Sequence, residues 1–172
     1  MIDPKLLAAA RDLLDVCRER GLRIATAESC TGGLVAGVLT EIAGASDVVE
    51  RGFVVYSNAA KESMLDVPAS TLKRYGAVSA ETAIAMAAGA LKNSEADISV
   101  AITGIAGPGG GTKQKPVGLV HFAAARRNHK GIARRRLYGK IGRRRVRERS
   151  VAEALELLEL VARPAKSTKK AP

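Results

Sequence analysis

Leu22-Arg23-Ile24-Ala25-Thr26-Ala27-Glu28-Ser29-Cys30-Thr31-Gly32-Gly33-Leu34-Val35-Ala36-Gly37-Val38-Leu39 is the stretch that decides the fold. An apolar, strand-like run at 22–25 gives way to a helix-like run at 34–39. A carboxylate, a hydroxyl, a thiol and two adjacent glycines crowd the junction between them. A tight strand-to-helix turn can hold a nucleophile exposed, with helix-end N–H groups close enough to stabilise negative charge. Ser, Thr and Gly at such a turn also serve as ordinary helix caps, so the segment alone leaves both readings open.

The pattern outward from this junction is one of alternation. Asp3-Pro4 predicts a helix start, with the helix running to about Arg20 and ending at Gly21. The first strand is expected over 22–27 and the second helix over 31–42. Residues 52–56 (Gly-Phe-Val-Val-Tyr) read as the second strand. Short helices follow over 58–65 and 68–75, and Ser79 caps an Ala-rich helix through Leu91. Strands are expected over 97–103, 117–125 and 132–138, the last two joined by an Asn128-His129-Lys130-Gly131 turn. The final helix spans 142–161, and 163–172 reads as a basic, disordered tail. Strands alternating with helices imply a layered α/β domain, here one domain over 1–162, and the terminal hairpin makes its sheet mixed.

Composition narrows the class. The 172 residues are 47% hydrophobic but only 3% aromatic, so the core must be built from Ala, Val, Leu and Ile. Cys17 and Cys30 form neither a disulfide framework nor a zinc pattern, which fits a reducing cytoplasm. Cys17 continues the helical stripe of Leu6, Ala10, Leu13 and Leu14 and is expected in the core. No signal peptide or bilayer-spanning run is read. The formal net charge is +11, with twelve Lys or Arg against Glu148 alone over 126–149. Such a segment is either a solvated face or an anion site, for a substrate phosphate or for nucleic acid. Scarce aromatics weigh against a nucleic-acid partner that stacks bases.

Exclusion then narrows the chemistry. The two histidines, His121 in a strand and His129 in a turn, make a Ser-His-Asp triad and a His/Cys metal site unattractive. The loop Gly104-Ile105-Ala106-Gly107-Pro108-Gly109-Gly110-Gly111 has neither the P-loop spacing nor the dinucleotide fingerprint. Hydroxyls with a lysine remain. Tyr56-Ser57-Asn58-Ala59-Ala60-Lys61 lies beyond a strand end, where ligands bind in such sheets, so Tyr56 and Lys61 can meet the Ser29 junction. A lysine acts as a base when burial lowers its pKa. A Cys30 nucleophile in another amide or thioester hydrolase is the competing reading at this turn.

Glu28-Ser29-Cys30-Thr31-Gly32-Gly33, Tyr56-Ser57-Asn58-Ala59-Ala60-Lys61, Gly76-Ala77-Val78-Ser79, Thr103-Gly104-Ile105-Ala106-Gly107-Pro108 and Lys115-Pro116-Val117-Gly118 together resemble the CinA C-terminal domain family. The likeness runs in order over 6–160, and the length matches the family's stand-alone form. The resemblance implies a three-layer α/β/α domain with a mixed, mostly parallel five-stranded sheet. It implies an amidase that converts nicotinamide mononucleotide to nicotinate mononucleotide and ammonia. Ser29 becomes the nucleophile and Lys61 its base, with Tyr56 and Thr103 as further catalytic residues. Thr31, Gly32, Gly33, Asn58, Gly104, Gly107 and Arg143 become the substrate-binding set, the N–H groups over 31–33 serving the oxyanion. Where the family often carries an acid before the arginine, this sequence has Gly142. No metal or redox cofactor is required by the mechanism. A pyridine nucleotide is the expected small-molecule partner. A homodimer or larger even-numbered homo-oligomer is the expected assembly, and a catalytically silent, nucleic-acid-binding regulator is the alternative function.

Overall fold

The computed structural model describes residues 2–163. Its elements run α1 (Pro4–Glu19), β1 (Ile24–Glu28), α2 (Leu34–Thr40), β2 (Val49–Val54), α3 (Asn58–Leu65), α4 (Ala69–Tyr75), α5 (Ala80–Lys92), β3 (Ile98–Gly104), β4 (Leu119–Arg126), β5 (Ile132–Leu137) and α6 (Arg143–Ala162), with a 3-10 turn at Ala45–Asp47. The five strands form one sheet in the order β2-β1-β3-β4-β5. β1 pairs in parallel with β2 and β3, while β4 is antiparallel to both β3 and β5. Four strands therefore share a direction, and β4 is the reversed one that the hairpin demands.

Strand alternation gives the sheet two apolar faces. Ile24, Val100, Ile102, Val120 and Phe122 face a core shared with α1 and α6. Ala25, Ala27, Ala101 and Ala123 face a second core beneath α5. Small residues meet small residues there, because Ala83, Ala87 and Ala90 of α5 pack on the sheet. Aromatic scarcity is answered by close approach. A Cβ on Gly89 would lie 1.9 Å from the Leu65 carbonyl oxygen, so α5 sits almost on the end of α3. The alanine stripe of α5 is thus spent inside the chain.

The starts of α2 and β2 differ most from the sequence expectation, by three residues each. α2 starts at Leu34, since Gly32 (φ 62°) and Gly33 (φ 93°) are left-handed and cannot belong to the helix. β2 starts at Val49, earlier than its apolar run, because an edge strand accommodates Glu50 and Arg51, whose side chains pair with each other at 2.9 Å. Of the tail expected at 163–172, only Arg163 is among the described residues. No helix among them is long and apolar enough to cross a bilayer.

Candidate active site

The parallel run of β1, β2 and β3 brings their carboxyl ends together. Ser29 follows β1, Val55 and Tyr56 follow β2, and Thr103-Gly104 close β3. The β3–β4 loop and the start of α6 arrive at the same end. A cavity of about 280 Å³ lies there, and Ser29, Cys30, Tyr56, Lys61, Thr103, Gly104, Gly107 and Arg143 are among its lining residues. Crevices at strand carboxyl ends are where open α/β sheets bind ligands.

Lys61 is the centre of the arrangement. Ser57 caps α3, its Oγ accepting from the Ala60 N–H at 3.0 Å, and this sets the rotation that turns Lys61 inward. Its side chain is 1% exposed. Nζ lies 2.8 Å from the Val55 carbonyl oxygen, 3.4 Å from that of Tyr56 and 3.2 Å from Ser29 Oγ. A neutral amine has two N–H donors and one lone pair. The two carbonyls can take both N–H groups, which leaves the lone pair facing the Ser29 hydroxyl. Burial lowers the Lys61 pKa, favouring this neutral form.

The turn behind Ser29 is held by a buried carboxylate. Glu28 is fully buried, and its two oxygens accept from the N–H groups of Gly33 (3.1 Å), Val35 (3.1 Å) and Ala36 (2.9 Å) and from Thr26 Oγ1 (3.3 Å). The strand thus caps the helix that follows it. Sequence reasoning passed over this acid as part of a motif; a carboxylate four residues ahead of a double glycine was the available signal. The cap corrects the expected oxyanion donors. Gly33 N–H belongs to Glu28, and Gly32 N–H donates to the Ser29 carbonyl at 3.1 Å. Among the described residues, Cys30 and Thr31 N–H donate to no other residue.

The remaining expected residues divide. Thr103 Oγ1 donates to the Ala77 carbonyl at 2.7 Å, so its lone pairs are what it offers the cavity. Tyr56 is 62% exposed, and its hydroxyl accepts from Arg143 Nη2 at 3.2 Å. Its ring therefore stands at the mouth, and its carbonyl is the part that touches Lys61. Arg143 Nη1 also donates to the Gly107 carbonyl at 3.0 Å, which fixes the guanidinium on the rim. Gly104 admits no side chain, since a Cβ would lie 2.8 Å from the Leu119 carbonyl oxygen. Asn58 is exposed on α3 and, with Thr31, Gly32 and Gly33, lies outside the cavity lining. Ile105, Ala106, Gly109 and Gly110 line it as part of the glycine-rich loop, and Ala77 and Val78 line it without having been singled out for it.

Cys30, the competing nucleophile, lines the cavity beside Ser29. Burial pushes its thiol up to about 11, so it stays protonated near neutral pH. Ser29 Oγ is the side-chain atom of the pair that lies 3.2 Å from Lys61 Nζ. His121 lies off the cavity, and burial followed by Arg135 and Lys115 lowers its pKa. Among the described residues no three His, Cys, Asp or Glu side chains gather as metal ligands do.

The arginine segment is largely consumed by the fold. Arg126 donates to the last carbonyls of α6, Val161 and Ala162, and Arg127 to Leu91, Ser94 and Ala96 at the end of α5. Arg134 and Arg136 share Glu153, as strand alternation predicts, and Arg144 pairs with Glu148. With Arg143 on the rim and Arg147 on the Thr31 carbonyl, seven of the twelve bases over 126–149 have internal partners.

Known proteins carry the same arrangement of chain. The chain is 48% identical over 158 residues to the nicotinamide-nucleotide amidohydrolase PncC of Escherichia coli strain K12, covering 92% of this chain and 95% of that one. It is 51% identical over 144 residues to a CinA-like protein of Anaeromyxobacter dehalogenans, covering 84% of this chain but 35% of that one. Among solved structures, the competence/damage inducible protein CihA of Agrobacterium tumefaciens superposes with a TM-score of 0.93 at 50% identity, covering 95% of this chain and 99% of that chain. The family model described as CinA C-terminal domain matches residues 7–162, and so the whole frame that carries the Ser29–Lys61 pair. This chain belongs to the CinA C-terminal domain family.

Proposed function

We propose that the chain is a nicotinamide-nucleotide amidohydrolase that works through Ser29 and Lys61, with 1–162 acting as one domain. The observation that carries the mechanism is the fully buried Lys61 amine 3.2 Å from Ser29 Oγ. A carboxamide is a weak electrophile with a poor leaving group, so both attack and departure need a proton moved. Ser29 Oγ bonds to the carbonyl carbon while its proton passes to Lys61 Nζ. The carbonyl electron pair becomes an oxyanion near the Cys30 N–H. Lys61 then returns its proton to the amide nitrogen, the C–N bond breaks, and ammonia departs. Water, deprotonated by the same amine, hydrolyses the acyl-serine to the carboxylate product.

The phosphate of a nucleotide substrate is assigned to the rim. Arg143 supplies the guanidinium there, and the N–H groups of Gly107, Gly109 and Gly110 donate to no residue among those described. The named activity of the Escherichia coli relative supports the substrate class. A homo-oligomer of even number belongs to the same reading, through the family resemblance. The wild-type chain incubated with nicotinamide mononucleotide is expected to yield ammonia and nicotinate mononucleotide in equal amounts. Unchanged substrate would refute the substrate assignment.

A further inference from the structure

Arg147 stands out among the bases. Its side chain is half-buried, no carboxylate pairs with it among the described residues, and its Nε is buried without a partner. An unneutralised guanidinium in such a place is costly unless its charge is used. Its one hydrogen bond reaches 116 residues back, Nη2 donating to the Thr31 carbonyl at 2.8 Å.

That bond begins a series. The Thr31 carbonyl and the Gly32 N–H are the two ends of one peptide group. Gly32 N–H donates to the Ser29 carbonyl at 3.1 Å, and that carbonyl shares its peptide group with the Cys30 N–H. In a trans peptide the C=O and N–H point opposite ways. Arg147, peptide 31–32 and peptide 29–30 are therefore linked head to tail, with their positive ends all directed toward the Cys30 N–H. That N–H has no other residue as acceptor, and Cys30 lines the cavity. Hydrogen bonds in series polarise one another in a low-dielectric interior. At the Cys30 thiol burial dominates and raises the pKa; its own backbone N–H lowers it, Glu28 raises it, and Arg147 and then Arg143 lower it.

We propose that Arg147 is a positioning residue that, through these two peptide groups, orients and polarises the Cys30 N–H as the oxyanion donor. The proposal rests on Ser29 being the nucleophile. It makes Arg147 matter to the tetrahedral species and little to the bound ground state.

The test compares wild type with Arg147→Met, which keeps an apolar stem of similar reach, and Arg147→Lys, which keeps the charge. Three quantities are read for each: kcat and KM on nicotinamide mononucleotide, affinity for 3-pyridylboronic acid, and the folded fraction by circular dichroism. Ser29 Oγ donates a lone pair to the empty boron orbital and its proton goes to Lys61, so the adduct places an oxygen where the oxyanion forms. Arg147→Met is expected to lose kcat by about 10- to 100-fold, with KM within about threefold and boronate affinity lowered in step with kcat. Arg147→Lys is expected to recover part of both losses. Wild-type kcat and boronate affinity in a folded Arg147→Met protein would overturn the proposal. So would a loss that merely tracks the unfolded fraction, or a raised KM at unchanged kcat. Boronate binding needs no turnover. A wild type that binds boronate but leaves nicotinamide mononucleotide intact would retire the substrate reading alone.

Discussion

An amine walled in by two carbonyl oxygens and one hydroxyl has little choice of geometry. Val55 and Tyr56 can only accept, so the neutral Lys61 lone pair is left for Ser29, and the ammonium occupies the same place with one proton more. A proton shuttle needs two such interchangeable states. Because burial lowers the Lys61 pKa, the neutral base is more populated at a given pH than in a free lysine. The rising limb of kcat/KM with pH is therefore expected below the ordinary lysine value of 10.5. Activity falls on acidification as Lys61 takes up its proton, and Lys61→Ala should abolish both the limb and nearly all turnover. Lys61→Arg should fail as well, since a guanidinium stays protonated; an active Lys61→Arg enzyme would remove the base from the account. Cys30→Ala, by contrast, should keep substantial kcat, because a thiol pushed up to about 11 contributes little thiolate at neutral pH.

Elements place these residues, and the elements were legible to different degrees. The junction at 22–39 read as strand followed by helix because the change of hydrophobic period is a local signal, although the helix was expected from 31 and Gly32-Gly33 move its start to Leu34. The Glu28 cap was only half legible: a carboxylate ahead of Gly32-Gly33 is a signal, but nothing local shows whether it turns toward the helix or toward water. Nor did the sequence pattern tell which arginines are spent inside the fold. Arg134 and Arg136 meet Glu153 across 19 and 17 residues. Burial alone would raise the Glu153 pKa, but the Arg136 and Arg134 hydrogen bonds override it and hold it below the usual range. A depressed carboxylate stabilises above its unfolded pKa, and the contribution is lost as pH falls through its folded value. Glu153→Gln is expected to cost about 1–3 kcal/mol in denaturant unfolding at neutral pH, and less in acid. An equal cost at both pH values would show that packing alone is at stake. At the start of α6, Arg143→Ala is expected to weaken turnover of nicotinamide mononucleotide and to leave the phosphate-free riboside nearly unaffected. Arg135→Ala, on the opposite side of β5 from the Glu153 pairs, should be nearly silent on both substrates. Equal losses on both substrates for Arg143→Ala would assign it to structure.

For the molecule as a whole, one sheet gathers groups that lie far apart in the chain. Three parallel strands end together, β4 runs the other way, and α6 begins where β5 stops. Ser29, Lys61, Thr103 and Arg143 consequently line one cavity. Burial is what makes the lysine useful, and burial comes from the two-sided core rather than from any motif. With a net charge of +11, the sequence left a solvated face and an anion site both open for the basic segment, and seven of the twelve bases over 126–149 are bonded within the fold. The account stands or falls on Ser29 carrying the reaction from within this assembled site. Its most direct test is the rate of ammonia release from nicotinamide mononucleotide by wild type and by Ser29→Ala, both confirmed folded. A fall of at least about a thousandfold is predicted, as for removal of a nucleophile that acts with its base as a unit; a Ser29→Ala protein that releases ammonia at close to the wild-type rate would contradict it.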